Sequence, residues 1–387
     1  MASTDYHYII TGAGCAGLSL LMRMMDDPFF HDKKILVVDQ YPKNKNDRTW
    51  CFWEKGTGLF ESILHAKWKK VNFLSDQFST TLDLDPYQYK MIQGIDFYQL
   101  VLSRAATCKN IIFRYEMVQA ITTEKDFARV HFAHEMVSAD YLFNSIDFPE
   151  SHEQMQANKG KHTLLQHFKG WMIETKEPSF DASIATMMDF RTSQQKGTSF
   201  FYIMPITSTQ ALVEYTLFSE ALLSEDSYNM ALNNYIKNDL HIVDYEIVHE
   251  EFGMIPMTNK KFPLQNQRII QMGLAGGQVK GSSGYAFQFI QKRTATIINT
   301  LKKGKNSFNI VSFNQRKGQF YDSVLLHVLA NKKMLGAHIF SDIFSKNKTE
   351  KVLRFLDNET TVIEDLQIMH SVPTRIFLLA AVKEILH

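Results

Sequence analysis

Glu214 sits in the run LVEYTLFS, where it shares one face of an alternating strand pattern with Leu212, Thr216 and Phe218. A carboxyl group on a largely apolar strand face loses hydration, which raises its pKa and can leave it protonated near neutral pH. That is the property of a general acid. The same alternation also fits a solvent-facing strand residue, and spacing alone leaves both readings open. A second chemistry, anion binding, is carried by glycines. Gly12, Gly14 and Gly17 form G-x-G-x-x-G directly after the apolar run Tyr8 to Ile10. Gly12 suits a tight turn, Gly14 lets backbone N–H groups approach a pyrophosphate, and Gly17 lets helix and strand pack closely.

Late in the chain, the strand pattern Ile269 to Met272 meets a turn containing Gly273, Ala275, Gly276 and Gly277. A second turn, Gly281 to Gly284, opens a helix from Tyr285. Two such turns can bring N–H groups to the phosphates and ring of one cofactor. A glycine fingerprint at one end and a strand, glycine turn and helix at the other favour a flavin protein over a nicotinamide dehydrogenase. Between them, the polar turn Lys43 to Asp47 delivers Arg48, Thr49, Trp50, Cys51, Phe52, Trp53 and Glu54. Arg48 is placed to reach a phosphate or adenosine while the rings close over an apolar ligand; the other reading is a Trp-rich core corner.

Other candidates are set aside. Asp83 and Asp85 resemble a metal pair but follow strand alternation with leucine. His131 and His134 lie three apart on a strand pattern and face opposite sides. His162 and His167 lack the spacing and neighbouring acid of a zinc helix and are read as non-ligands. Gly281, Ser282, Ser283 and Gly284 have the wrong spacing for a hydrolase elbow. Cys15, Cys51 and Cys108 include no C-x-x-C, which argues against a disulfide framework or thiolate metal site and reads as reduced thiols in a cytoplasmic protein. No metal site is expected.

The elements that must position these groups follow from periodicity. Leu18, Leu21, Met22 and Met25 recur at helical spacing, so an anion at the first glycine turn meets a helix N-terminus. Ile35 to Val38 is a second buried strand, and Asp39 follows it where an acid can bind a ribose hydroxyl. Residues 69 to 92 alternate as strands, 96 to 106 read as a helix, and 149 to 162, PESHEQMQANKGKH, as a surface connection. FFYIMPITSTQALVEYTLFS reads as a hairpin around Thr207 to Gln210. From Asn306 the pattern is helical, and Ile376 to Val382 is an apolar run that suits a packing helix better than a membrane-surface contact.

Composition sets the outer bounds. A chain of 387 residues that is 45% hydrophobic can bury a large core across two or three subdomains. Lys plus Arg is 42 against 41 for Asp plus Glu, with no basic tract, so nucleic acid is not expected as a partner. The fingerprint begins within a dozen residues of Met1, which leaves no space for a leader peptide, and no apolar run reaches the roughly 18 residues that span a bilayer. Aromatic residues make up 12% of the chain, enough to line an apolar cavity as well as fill a core.

Five segments, TGAGCAGLSL, DRTWCFWE, YKMIQGIDFYQLV, LVEYTLFS and MGLAGGQVKGSSGYAFQFIQKR, resemble the lycopene cyclases of bacterial carotenoid synthesis, particularly the lycopene beta-cyclases. The similarity extends over most of the chain. It implies an α/β fold with a Rossmann-type FAD-binding domain of the glutathione-reductase/hydroxylase flavoprotein type, an inserted mixed β-sheet substrate domain and a helical C-terminal region. The expected boundaries are 1–68, 90–148 and 256–304 for the FAD domain, 69–89 and 149–255 for the substrate domain, and 305–387 for the helices. The resemblance implies cofactor contacts at Gly12, Gly14, Gly17, Asp39 and the Gly273 to Gly277 turn, with Gly273, Gly276 and Gly277 expected there and Glu214 as the acid-base residue; Arg48, from its place in the chain, is expected to join them. Trp50, Trp53 and Tyr285 are expected against the substrate. Plant members have two adjacent acids; here Glu214 is followed by Tyr215.

The implied activity is a net non-redox isomerase reaction in carotenoid biosynthesis. It closes the acyclic ψ-ends of lycopene to β-ionone rings, giving gamma-carotene and beta-carotene, with reduced FAD as cofactor and NAD(P)H as a candidate reductant. The alternatives are an FAD-dependent hydroxylase or reductase of an isoprenoid and a flavin-bearing carotenoid or lipid binding protein. Because the substrate dissolves in lipid, the implied location is cytoplasmic, peripheral on the inner face of the cell membrane.

Overall fold

A computed structural model describes residues 4–148, 155, 158 and 161–386. Most of the polar stretch 149–162 read as a surface connection lies outside them. The strands of the N-terminal part are β1 (Tyr6–Thr11), β2 (Ile35–Asp39), β3 (Thr49–Lys55), β4 (Ala66–Trp68), β5 (Lys70–Leu74), β6 (Thr80–Asp83), β7 (Tyr87–Gln93), β8 (Ile111–Tyr115), β9 (Ala120–Thr123), β10 (Ala128–His131) and β11 (Met136–Asn144). They continue with β12 (Thr163–Glu174), β13 (Ile184–Asp189), β14 (Thr198–Pro205), β15 (Gln210–Ser219), β16 (Glu246–Thr258), β17 (Gln265–Asn266) and β18 (Ile269–Gln271). The helices are α1 (Cys15–Asp26), α2 (Gly94–Ala105), α3 (Glu225–Asn238), α4 (Phe287–Lys302), α5 (Phe313–Ala330), α6 (Gly336–Lys346), α7 (Thr349–Leu356), α8 (Val362–Met369) and α9 (Thr374–Leu386).

β1 forms parallel ladders with β2 and β11, β2 with β8, and β11 with β18, so a strand that follows the second sheet in sequence returns to the N-terminal one. Ile9 and Ile10 are fully buried in its middle. The near-continuous apolar strands suit a parallel sheet covered on both faces. α1 packs close to β1 because position 17 has no Cβ; one built there would lie 2.0 Å from the Gly12 carbonyl oxygen. α4 lies along α1, tied by Arg23 Nε to Thr294 Oγ1 at 3.1 Å and Gln291 Nε2 to Ser19 Oγ at 2.8 Å.

The second sheet has the order β16-β12-β15-β14-β13-β5-β6. It is antiparallel except at β13 and β5, hence mixed. Both faces are covered, so β14 and β15 are buried along almost their whole length. Phe201, Val213, Tyr215 and Leu217 face α3, where they pack on Tyr228, Leu232, Tyr235 and Ile236. Phe200, Tyr202, Met204, Leu212 and Phe218 face the other way and join Leu326, Ile339, Phe340 and Phe344 of the C-terminal helices. The alternation of strand side chains therefore assigns Glu214, between Leu212 and Thr216, to the inner face.

Two expected boundaries differ. β7, which begins at Tyr87, pairs with β3 and β4 in a separate three-stranded sheet and not with the substrate sheet. β16 continues to Thr258, three residues past the expected end of the substrate domain, because it stays paired with β12 as far as Thr163. Among the described residues no helix is long and apolar enough to cross a membrane. α9 divides its apolar run. Ala380 is buried and Ile376, Phe377 and Ala381 pack on the core, while Leu378, Leu379, Val382, Ile385 and Leu386 are exposed.

Candidate active site

A cavity of about 420 Å³ runs between the two sheets. On the side of the first sheet it is lined by Gly12, Gly14, Cys15, Ala16, Asp39, Lys43, Arg48 and Gly273; Gly284 and Tyr285 line it too, and Glu214 and Glu251 stand on the side of the second sheet.

The side of the first sheet is a cradle of backbone. Gly14 caps α1 without a side-chain hydrogen bond, and a Cβ built on it would have no atom within 4 Å, so the start of α1 opens onto the cavity. Asp39 accepts the Ala13 N–H at 2.7 Å and pairs with Lys43 at 3.2 Å. Arg48 is 62% exposed, and its ion pair among the described residues is with Asp47 at 3.8 Å, so its guanidinium can also meet an anion. Across the cavity, Gln166 Oε1 is buried without a hydrogen-bond partner among the described residues. A buried acceptor that lines a cavity and lacks a donor is a place for a ligand N–H or O–H. Helix N-terminus, exposed Arg and orphaned acceptor together fit an extended ligand with a pyrophosphate and a polar ring.

Three of the glycines expected at the cofactor do not line this cavity. Gly17 serves the packing of α1 on β1, as above. Gly276 and Gly277 shape the turn itself: a Cβ at Gly276 would lie 2.7 Å from the Gln271 carbonyl oxygen, and one at Gly277, where φ is +64°, 2.7 Å from the Phe262 ring. Gly273, at φ +58°, does line it and meets Ala16 of α1. The turn from 280 to 284 is fastened from outside by the C-terminal helices: Lys280 pairs with Asp322 at 2.9 Å and donates to Asn358, and Ser282 donates to the same Asp322 at 2.6 Å.

The aromatic residues also divide. Trp50 lines the cavity, braced edge-on by Phe97 at 5.1 Å and Tyr98 at 6.0 Å. Tyr285 lines it too, its hydroxyl 3.3 Å from that of Tyr202. Trp53 does not. It lies behind Tyr285, edge-on at 4.6 Å, and its indole N–H donates to Asp357 at 3.0 Å. Trp50 and Trp53 are three apart on β3 and so point to opposite faces.

In the second sheet, β12 runs between β15 and β16, and Gly170 is in register with Glu214 on one side and Glu251 on the other. Because Gly170 has no side chain, the two carboxyls can approach over it; a Cβ there would lie 3.1 Å from Glu251 Cγ. Thr216 Oγ1 donates to Glu214 at 2.8 Å and Thr49 Oγ1 to Glu251 at 2.7 Å. Burial pushes the Glu214 carboxyl well above the usual carboxylate range, and the Glu251 charge adds to it. Burial raises Glu251 as well, but the Thr49 hydroxyl and nearby His249 favour its ionised form. Of the two, Glu214 is the one that burial and a neighbouring charge both push toward the protonated form. Cys51, Tyr89, Tyr202 and Tyr285 surround it, and burial raises each of these groups so that all four are neutral at pH 7. The arrangement can deliver a proton into an apolar, aromatic-walled space and take one back.

The family described as "Lycopene cyclase protein" matches residues 8–381. The chain belongs to the lycopene cyclase family. A comparison with curated protein sequences found no match. Among solved structures, the lycopene cyclase chain is similar to a geranylgeranyl bacteriochlorophyll reductase-like protein from Thermoplasma acidophilum, with 11% identity over 97% of this chain and 98% of that one and a TM-score of 0.64. It is similar to a flavin-dependent brominase, with 11% identity over 91% and 93% of the two chains and a TM-score of 0.61. A halogenase solved with phloroglucinol and FAD matches at 12% identity over 97% and 86%, with a TM-score of 0.54. These likenesses establish the fold, that of flavoprotein reductases and halogenases.

Proposed function

We propose that this member of the lycopene cyclase family is an FAD-dependent lycopene beta-cyclase, an isomerase that closes the ψ-ends of lycopene to β-ionone rings without net redox change. The observation that carries the reading is the buried pair Glu214 and Glu251, brought together across Gly170 and lining the cavity. The cradle of Gly12, Gly14, Asp39, Arg48 and Gly273 would hold FAD, with Gln166 and Gly284 near its ring. Bound in its reduced, anionic form, the flavin would add negative charge beside a cationic substrate.

Glu214 gives its proton to the terminal double bond of the polyene end. The tertiary cation is attacked by the next suitable double bond, and a six-membered ring closes. Loss of a ring proton to the Glu251 carboxylate or to the ionised Glu214 sets the ring double bond and returns one proton to the pair. Each turnover therefore begins and ends in the same protonation state. With both carboxyls ionised the site carries its greatest negative charge while the substrate is cationic, which stabilises the step between them. The faces of Trp50 and Tyr285 add cation–π attraction and exclude water that would trap the cation as an alcohol.

A redox flavoenzyme acting on an isoprenoid is the second reading, because similar structures include a reductase-like protein. Product mass separates the two: a cyclase leaves it unchanged, a hydroxylase adds oxygen and a reductase adds hydrogen. The test is purified protein with lycopene in liposomes, flavin oxidised or reduced. The cyclase reading requires an isomer of equal mass from the reduced arm only. NAD(P)H is the proposed reductant. Peripheral docking on the inner face of the cell membrane is proposed from the hydrocarbon substrate together with the exposed leucines and isoleucines of α9.

A further inference from the structure

His162 directly precedes β12, His327 lies in the last turn of α5, and Glu384 lies in the last turn of α9. These three segments, far apart in sequence, meet away from the cavity. His162 Nε2 is 3.1 Å and His327 Nδ1 2.9 Å from the same oxygen, Oε1 of Glu384. The two imidazoles stand edge to face with centroids 5.0 Å apart. All three potential ligand atoms lie within 4.8 Å of one another.

The surroundings hold this geometry in place. Asn259 Nδ2 donates to the second oxygen of Glu384 at 3.1 Å, and Asn259 Oδ1 accepts the His162 backbone N–H at 2.8 Å. Thr258 Oγ1 donates to the His162 carbonyl at 2.8 Å. The side chains of Glu384 and His327 are only 8% and 11% exposed. The ion-pair partners of Glu384 among the described residues are both histidines.

We propose that His162, His327 and Glu384 form a divalent-cation site, zinc by its donor set, that ties α5 and α9 to the head of β12. Two imidazole nitrogens and one carboxylate oxygen are the ligands of a borderline divalent ion. Bonds of about 2.0–2.2 Å place neighbouring ligand atoms roughly 3–3.5 Å apart, which matches the two N···O separations found; only the imidazole nitrogens must draw closer. A fourth position is left for water. The carboxylate oxygen bonded by Asn259 is the outer support that such sites require. Spacing along the chain could not reveal it, because each ligand comes from a different element. The site is independent of the proposed cyclisation and serves to fasten the C-terminal helices.

The test uses untagged full-length protein stripped with EDTA. Zinc titrated by calorimetry should bind at one equivalent per chain, cobalt(II) should give visible bands of a nitrogen and oxygen ligand set, and zinc should raise the Tm. His162→Ala, His327→Ala and Glu384→Gln should each lower zinc affinity at least about tenfold. Glu384→Gln keeps the side-chain shape, and its melt in EDTA, expected within a few degrees of the parent, guards against simple misfolding. Equal zinc affinity in parent and Glu384→Gln would overturn the proposal. So would a parent Tm that responds to pH across the histidine range but not to zinc, which would make the cluster a protonated-histidine latch.

Discussion

Glu214 and Glu251 face each other across Gly170, one residue on each side of the single strand that separates them. Neither is next to the other in sequence, and the contact exists only because β12 lies between β15 and β16 and carries no side chain at the crossing.

Gly170 is therefore the position to test first. A Cβ there would lie 3.0 Å from Leu212 Cδ1 and 3.1 Å from Glu251 Cγ, closer than the neighbours tolerate without shifting. Gly170→Ala should fold and bind flavin yet turn over lycopene about tenfold more slowly, the rate equivalent of roughly 1.4 kcal/mol of misplacement. Steady-state cyclisation, with flavin content as the control, measures it.

Removing the charge of Glu251 should shift the pH profile. Glu214 must be protonated to act, so activity falls as pH rises through its pKa. The Glu251 charge is one cause that raises that pKa, after burial. In Glu251→Gln the alkaline limb should move to lower pH and kcat should drop. An unmoved limb would show that the two carboxyls are not coupled.

Glu214→Gln should be inactive but more stable at pH 8. The folded pKa of Glu214 is raised, so its favourable contribution is complete below the ordinary value near 4.5 and is lost as pH rises through the folded pKa. The amide never ionises and escapes that loss. Urea denaturation at pH 5 and pH 8 should show a flatter dependence in the variant than in the parent.

The fingerprint glycines should fail in different ways. Gly17→Ala places a methyl 2.0 Å from a backbone carbonyl oxygen and should prevent folding of the first domain. Gly14→Val has open space on its Cβ and should fold, while crowding the cradle and leaving the purified protein with much less yellow flavin absorbance.

How far the sequence reaches can be judged residue by residue. The glycine turns, the strand of Glu214 and the hairpin it belongs to were legible because their signals are local, fixed by spacing within a dozen residues. Glu251 was not, since EIVHEEF reads as a charged edge strand and its meeting with Glu214 depends on sheet order. The one available signal was Gly170, a glycine inside a strand of bulky residues, which marks close approach. Trp50 and Trp53 could have been told apart by their odd separation on a strand. Gly276 and Gly277 could not be distinguished from Gly273, because turn geometry and ligand approach ask for the same residue.

The most direct measurement is cyclisation of lycopene in liposomes with reduced flavin, run in ordinary water and in D2O, with product mass read by mass spectrometry. The proton that Glu214 gives exchanges with solvent, while the proton lost from the ring comes from carbon. The account predicts a product of unchanged mass in water, one added deuterium per ring closed in D2O, and neither product from Glu214→Gln. A product heavier by oxygen or by two hydrogens, or rings formed in D2O without deuterium, would contradict it.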